Sequence, residues 1–352
     1  MTTHARFSEQ SPAFAVQPNN GGWLALSDHA VPVCAEGIED VVQSGALILE
    51  ISRPKDSDAV LLDHQCDHGW TRGFSIFYGS DAGIVIRHRQ GDTIHRLCLP
   101  GPLPRDWDMA RLTYCWNGPG RAWSITLQDI AGAWRMAVSG MDPMPMTGRD
   151  LLALCSGSVA ARRHVSVNWF GVCRTAPDHD DTHWIGCRTP VDTARGTVAA
   201  GDLRVGDKIT TWDREPQVLT GLRRMILPNR GRLAPVLLRA PYFARQIDLL
   251  VAQAHLILMA GTAVEYLFGE DAVLAPAAAL RDGNSALTDM RRLLSIGIAL
   301  EFATPQLIVA NGCAMMCATK SDTARLPYRL IHDYEAMPLQ SMLGRVGPRA
   351  TA

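Results

Sequence analysis

Several groups of side chains in this 352-residue chain are of types that do chemistry. The run Asp63-His64-Gln65-Cys66-Asp67-His68 mixes carboxylates and imidazoles, which bind divalent ions. It falls between strand patterns, where polar residues are expected anyway, and is read as a connection without a metal. Cys313 and Cys317 are separated by three residues, and no second cysteine/histidine pair stands near enough to complete a zinc site. Most of the nine cysteines are therefore read as reduced core or surface residues. Trp23, Trp70, Trp107, Trp116, Trp123, Trp134 and Trp169 have ring faces that stack on sugars, and equally the bulk that fills a core. The core reading is taken for most of them. No pair of carboxylates singles itself out for glycoside cleavage, and no cofactor is implied.

The elements that must position these groups are mostly strands. Ala46–Ser52, Gly73–Tyr78, Gly83–Arg87 and Ala122–Leu127 are short β-branched or aromatic runs, and turn residues separate them at Gly79–Gly83 and Trp116–Gly120. Strands at this spacing, with almost no helical periodicity, predict a β-sandwich over residues 23–173. Residues 1–22 read as a loose polar leader, 174–183 as a linker and 344–352 as a tail. The 34 basic and 35 acidic residues nearly cancel, and no basic block argues for nucleic acid or a membrane surface. No apolar run is long enough to span a membrane, and the first residues are too polar for a signal peptide. Two locations stay open, export by a signal-independent route or the cytoplasm.

The most informative stretch is Trp184 to Asp213, W-I-G-C-R-T-P-V-D-T-A-R-G-T-V-A-A-G-D-L-R-V-G-D-K-I-T-T-W-D. Thr189, Val191 and Thr193 alternate at the two-residue period of a strand, and Ala194-Arg195-Gly196 reads as a turn. Leu203-Arg204-Val205-Gly206-Asp207 turns into a second β-branched run, Lys208–Thr211. The pattern T-x-V-x-T-x-x-G followed by D-L-R-V-G-D resembles the opening of the Hint module of hedgehog and intein proteins, in its bacterial form. Further along, Asp248–Leu258, which looks like one strand of the family, Glu265–Leu274 and Leu294–Gly312 resemble later blocks of that module, so the resemblance covers about 184–343. The order R-L-T-Y-C-W-N-G-P-G-R-A-W-S-I-T-L in the first half resembles paired strands of laminin-G/concanavalin-like sandwiches, which bind glycans or other surface ligands.

The Hint resemblance implies an all-β fold and an autocatalytic peptide-bond cleavage. A cysteine thiol attacks the carbonyl in front of it, turning an amide into a thioester, and a histidine protonates the leaving nitrogen. Aligned without gaps, the family's first threonine falls on Thr189 and its cysteine position falls on Trp184, whose indole has no nucleophile. Cys187 takes that role only if three residues are missing between it and Thr193. The family's Ser/Thr-x-x-His motif keeps His255 but has Ala252 in place of the hydroxyl, and later polar positions fall on Ala299, Ala303 and Pro305.

Two functions follow as expectations. The first is a Hint protein that has lost self-cleavage and acts by binding or assembly through its sandwich. The second is an active module cutting at Gly186-Cys187, with Cys187, Thr189 and His255 as its site. The strand phase predicts burial of Thr189, Val191, Leu203, Val205, Ile209, Leu249, Val251, Ile257, Val273, Ile308 and Val309. Helix is expected only in short pieces, at Pro276–Leu280 and in the Thr288–Leu294 region.

Overall fold

The computed structural model describes residues 22–27, 41–67, 69–157, 161–174, 183–213, 215–317 and 326–343. The leader up to residue 21, residues 175–182 of the linker, His68 and the tail lie outside them. The chain divides into two compact units, Met1–Ala176 and Pro177–Ala352. Both are built of sheet, as the patterning predicts, antiparallel but for one parallel pairing of Ala272–Pro276 with Arg329–Leu330.

In the first unit a six-stranded sheet runs in the order Trp23–Leu26, Val167–Cys173, Ser44–Ser52, Met109–Asn117, Ala122–Asp129, Arg135–Met141. A five-stranded sheet faces it, in the order Ala161–Arg163, Asp58–Cys66, Arg72–Gly79, Gly83–Gln90, Thr93–Pro100. Period-two alternation sends Ile84, Ile86, Phe74 and Ile76 inward against Leu47, Leu49, Leu112 and Tyr114. On the outer face the register aligns Arg162, Asp63, Ser75, Arg87 and Arg96 as direct neighbours, one from each strand. Asp63 accepts a hydrogen bond from Ser75 Oγ at 2.6 Å, and Arg87 donates to the same hydroxyl at 3.3 Å.

The carboxylate-imidazole run is not a connection: its residues Asp63 to Cys66 belong to the strand Asp58–Cys66, and the same alternation separates their side chains. Asp63 and Gln65 point outward, whereas His64 is buried and its Nε2 lies 3.5 Å from Asp150. Arg72 also pairs with Asp150 at 2.8 Å, so these groups are used in joining helix Gly148–Ser156 to the sheet. Of the seven tryptophans, Trp107, Trp116, Trp123 and Trp134 pack in or against the core cluster. Trp23 and Trp169 are buried as well, and Trp70 is exposed. A buried ion pair crosses the larger sheet. Arg111 donates to Glu50 at 2.8 Å from the directly opposite position.

The second unit has a six-stranded sheet in the order Gly221–Pro228, Leu294–Glu301, Ile185–Gly186, Leu249–Val251, Val236–Leu238, Ala286–Thr288. Its second sheet has nine strands and includes Pro190–Thr193, Lys208–Thr210, Gln306–Ala310, Cys313–Cys317, Leu256–Ala260 and Ala272–Pro276. Val191, Ile209, Leu249, Val251, Ile257, Val273, Ile298 and Ile308 form the core. Cys313 and Cys317 lie buried on one strand, and burial pushes both thiols up to about 12. They act as packing groups.

Four further expectations need correction. Val205 is 63% exposed, because it sits in the turn before Gly206, whose φ of +97° suits a residue without Cβ, while Leu203 enters the core. Val309 is half-buried, since its neighbours Ile308 and Ala310 face the core. The run Asp248–Leu258 is two strands, Leu249–Val251 and Leu256–Ala260, interrupted by a turn at Ala252–His255. No helix forms over Thr288–Leu294. That segment ends one strand and begins another, and the helices are instead Gly148–Ser156, Thr262–Phe268 and Asp333–Leu343, with a short 3-10 turn at Ala277–Leu280.

Ile257, 1% exposed and flanked by strands on both sides, tests the register of this core. Ile257→Ala is expected to lower stability by about 2–5 kcal/mol. Urea unfolding followed on the second unit measures it, and an unchanged midpoint contradicts the register.

Candidate functional site

The Ile185–Gly186 strand enters the middle of its sheet, pairing with Leu249–Val251 on one side and Leu294–Glu301 on the other. Residues on either side of it are therefore held by backbone bonds before any side chain acts. Ala252 N–H donates to the Trp184 carbonyl at 2.9 Å, and Cys187 N–H donates to the Ile296 carbonyl at 3.1 Å. The strand separates two environments, one at Trp184 and one at Cys187.

Around Trp184 the side chains are apolar. Trp184, Met225, Leu227, Ala252 and Ala299 form one buried cluster. Register explains it: Met225 stands opposite Gly297, and Arg223 opposite Ala299, so Met225, Leu227, Gly297 and Ala299 share a face of two adjacent strands. The indole lies flat on Gly297, where an added Cβ would meet ring atoms at 2.7 Å. Three of the positions at which the family resemblance expects polar groups, Trp184, Ala252 and Ala299, thus touch the same cluster. The other two, Ala303 and Pro305, lie outside it, Ala303 being exposed.

His255 closes the turn beside this cluster. Its backbone N–H donates to the Ala252 carbonyl at 3.1 Å, and its carbonyl accepts from Ala277 N–H at 2.8 Å. The ring is fully buried, 5.4 Å from the His183 ring, and neither nitrogen has a hydrogen-bond partner of good geometry. Burial holds its pKa well below the usual range, the His183 imidazole adds to the effect, and the Trp184 backbone opposes it. At neutral pH the ring is uncharged. Because the folded pKa lies below the unfolded one, the unfolded chain binds a proton that the native one does not. Stability should therefore fall as pH drops below about 6.5, with a slope approaching about 1.4 kcal/mol per pH unit. His255→Phe should flatten that slope in urea unfolding between neutral and mildly acid pH. An equal slope in the variant contradicts the assignment.

Cys187 and Thr189 lie elsewhere. Both line a cavity of about 500 Å³ that His255 does not reach, and its walls include Arg188, Asp248, Asp289 and Arg291. Thr189 N–H donates to the Gly186 carbonyl at 2.9 Å, and the Cys187 carbonyl accepts from Gly201 N–H at 2.8 Å. The thiol is half-buried. Of the three residues of the sequence-derived site, the fold brings two together and sets the histidine against a different segment, His183-Trp184. Sequence reasoning missed Met225, Leu227 and Gly297, since their part in the cluster depends on a strand pairing that no local pattern encodes.

Residues 186–320 match the Hint domain family, and the second unit of this chain carries a Hint domain. The matched segment begins at Gly186, so it includes Cys187 and leaves out Trp184. Among solved structures, the chain is similar to the MchDnaB-1 intein at 18% identity, over 38% of this chain and 99% of that one, with a TM-score of 0.27. It is also similar to a Ruminococcus gnavus IT-sialidase CBM40, at 13% identity, 47% and 92% coverage, and a TM-score of 0.32. Domains LG4-5 of the mouse laminin alpha1 chain give 9% identity, 89% and 80% coverage, and a TM-score of 0.26. A comparison with curated proteins found no match. Among the described residues no helix is long and apolar enough to cross a membrane.

Proposed function

We propose that the Hint domain of this chain has lost self-cleavage and that the protein acts by binding a glycan or other surface ligand through its sandwich domain. The observation that carries the first part is the cluster of Trp184, Met225, Leu227, Ala252 and Ala299. An acyl shift needs a nucleophile beside its own preceding carbonyl and a proton donor on the leaving nitrogen. His255 stands at the His183-Trp184 segment, where the neighbouring side chain is an indole. The binding part rests on the outer sheet face, with its row of paired polar residues, and on the exposed ring of Trp70.

A second reading keeps Cys187 as nucleophile. The start of the family match at Gly186 and the Thr189 N–H on the Gly186 carbonyl favour it. In that reaction the thiol gives up its proton as Sγ bonds the Gly186 carbonyl carbon, the C–N bond to Cys187 breaks, and His255 relays that proton to the freed amine. Against it, the Cys187 N–H is already engaged by the Ile296 carbonyl, and no imidazole lines the cavity. Hydroxylamine discriminates the two readings, because it captures a thioester as a hydroxamate and releases the fragment ending at Gly186. The proposal expects no such fragment. Its appearance, and its loss in Cys187→Ala, would establish the second reading.

A further inference from the structure

The cavity beside Cys187 has a construction that neither reading of self-cleavage uses. Its floor comes from adjacent strands of one sheet. Leu237 pairs directly with Leu250, and the Leu250 Cβ stands 3.0 Å from where a Cβ on Gly186 would be, so the missing side chain leaves the floor flat. Gly186 pairs with Gly297, and Ser295, two residues before Gly297, therefore faces the same side of the sheet. Ser295 lines the cavity, is 5% exposed, and its Oγ has no hydrogen-bond partner.

The lining carries three arginines, Arg188, Arg291 and Arg292, against two aspartates, Asp248 and Asp289, so its net charge is positive. Asp289 is taken up by Arg291, at 2.9 and 3.0 Å, and this pairing holds its carboxyl below the usual range. Asp248 accepts from Ala240 N–H at 2.9 Å. Arg188 and Arg292 also line the cavity and are exposed, and Arg292 adds a weaker attraction to Asp289. An apolar floor in a cavity of about 500 Å³, with two such exposed arginines in its lining, suits one kind of molecule, because a guanidinium fork matches a carboxylate.

We infer that this cavity binds a small monocarboxylic acid with an aliphatic body, its carboxylate held by Arg188 and Arg292 and its chain lying over Leu237 and Leu250. Cys187 sits on the wall, so an occupant covers its half-buried thiol. Whether the chain cuts itself does not enter this inference.

The test uses the full chain with decanoate as the probe, and with decanol as a neutral probe of the same length. Calorimetry should detect decanoate binding, at least tenfold tighter than decanol. Decanoate at saturation should slow alkylation of Cys187 by iodoacetamide at least tenfold, read on the peptide containing Cys187, and leave exposed Cys98 unaffected. The double variant Arg188→Gln/Arg292→Gln should lose at least tenfold in decanoate affinity with an unchanged thermal midpoint, since both side chains are at the surface. A second variant, Leu250→Trp, should fill the floor and abolish binding of both probes. Equal affinity for decanol and decanoate, no protection of Cys187, or undiminished binding by the arginine variant would each overturn the inference. A failure of decanoate to bind at all would do the same, and would leave the hydroxylamine result untouched.

Discussion

Trp184→Ala is expected to destabilise the Hint domain by about 3–5 kcal/mol, the range for emptying a buried aromatic site. The indole is 4% exposed and fills the space between Met225, Leu227, Ala252 and Ala299, lying on Gly297. Those neighbours stand on a rigid pair of strands and on a turn tied to the Trp184 carbonyl, so they cannot collapse far into the gap. Urea unfolding read on the second unit should show the loss, with the first unit's transition unmoved. The variant should also remain uncut, because removing the indole supplies no nucleophile. A change below about 1 kcal/mol would mean that the ring is not the filling of this site.

An effect of similar size is expected in the sandwich domain from Arg111→Met. Glu50 is completely buried, and Arg111 pairs with it from the adjacent strand. Substitution leaves a carboxylate in the core without its counter-charge, which costs about 3–5 kcal/mol. The double variant Glu50→Leu/Arg111→Met should recover most of that loss, because two apolar side chains need no partner. Thermal or urea unfolding of the first unit measures both. If the single and double variants are equally unstable, the loss comes from packing and not from the orphaned charge.

Much of the architecture is legible in the amino-acid order alone, wherever burial is one-sided. Ile84 and Ile86 alternate with Val85 and Arg87 along one strand, and both isoleucines enter the core while the other two do not. The helices are harder to read, although one carries its signals in plain view. Thr147 caps Asp150 N–H at 3.1 Å, and Gly157 ends the helix with a φ of +67°. Nine residues between strands give too little periodicity to outweigh the β pattern around them. The break at Ala252–His255 has no glycine or proline to announce it. It is imposed by distant partners, the Trp184 carbonyl and Ala277 N–H.

The candidate site is legible residue by residue and not as a place. Each of Trp184, Ala252 and Ala299 can be recognised as an apolar residue at a position where a polar one is expected. Their meeting depends on how Gly221–Pro228 pairs with Leu294–Glu301, with Met225 brought opposite Gly297. The separation of Cys187 from His255 is equally hidden. It follows from Ile185 pairing with Val251, which sets the His255 turn against the residues before the strand and leaves Cys187 beyond its other end.

An intact-mass time course in dithiothreitol shows whether this Hint domain cuts its own chain. The thiol resolves any thioester and drives cleavage to completion, so a slow reaction accumulates as product. One species at the full 38.4 kDa is expected throughout, identical in behaviour for the parent chain and for Cys187→Ala. A fragment ending at Gly186 that grows with thiol concentration, and that Cys187→Ala abolishes, would contradict it.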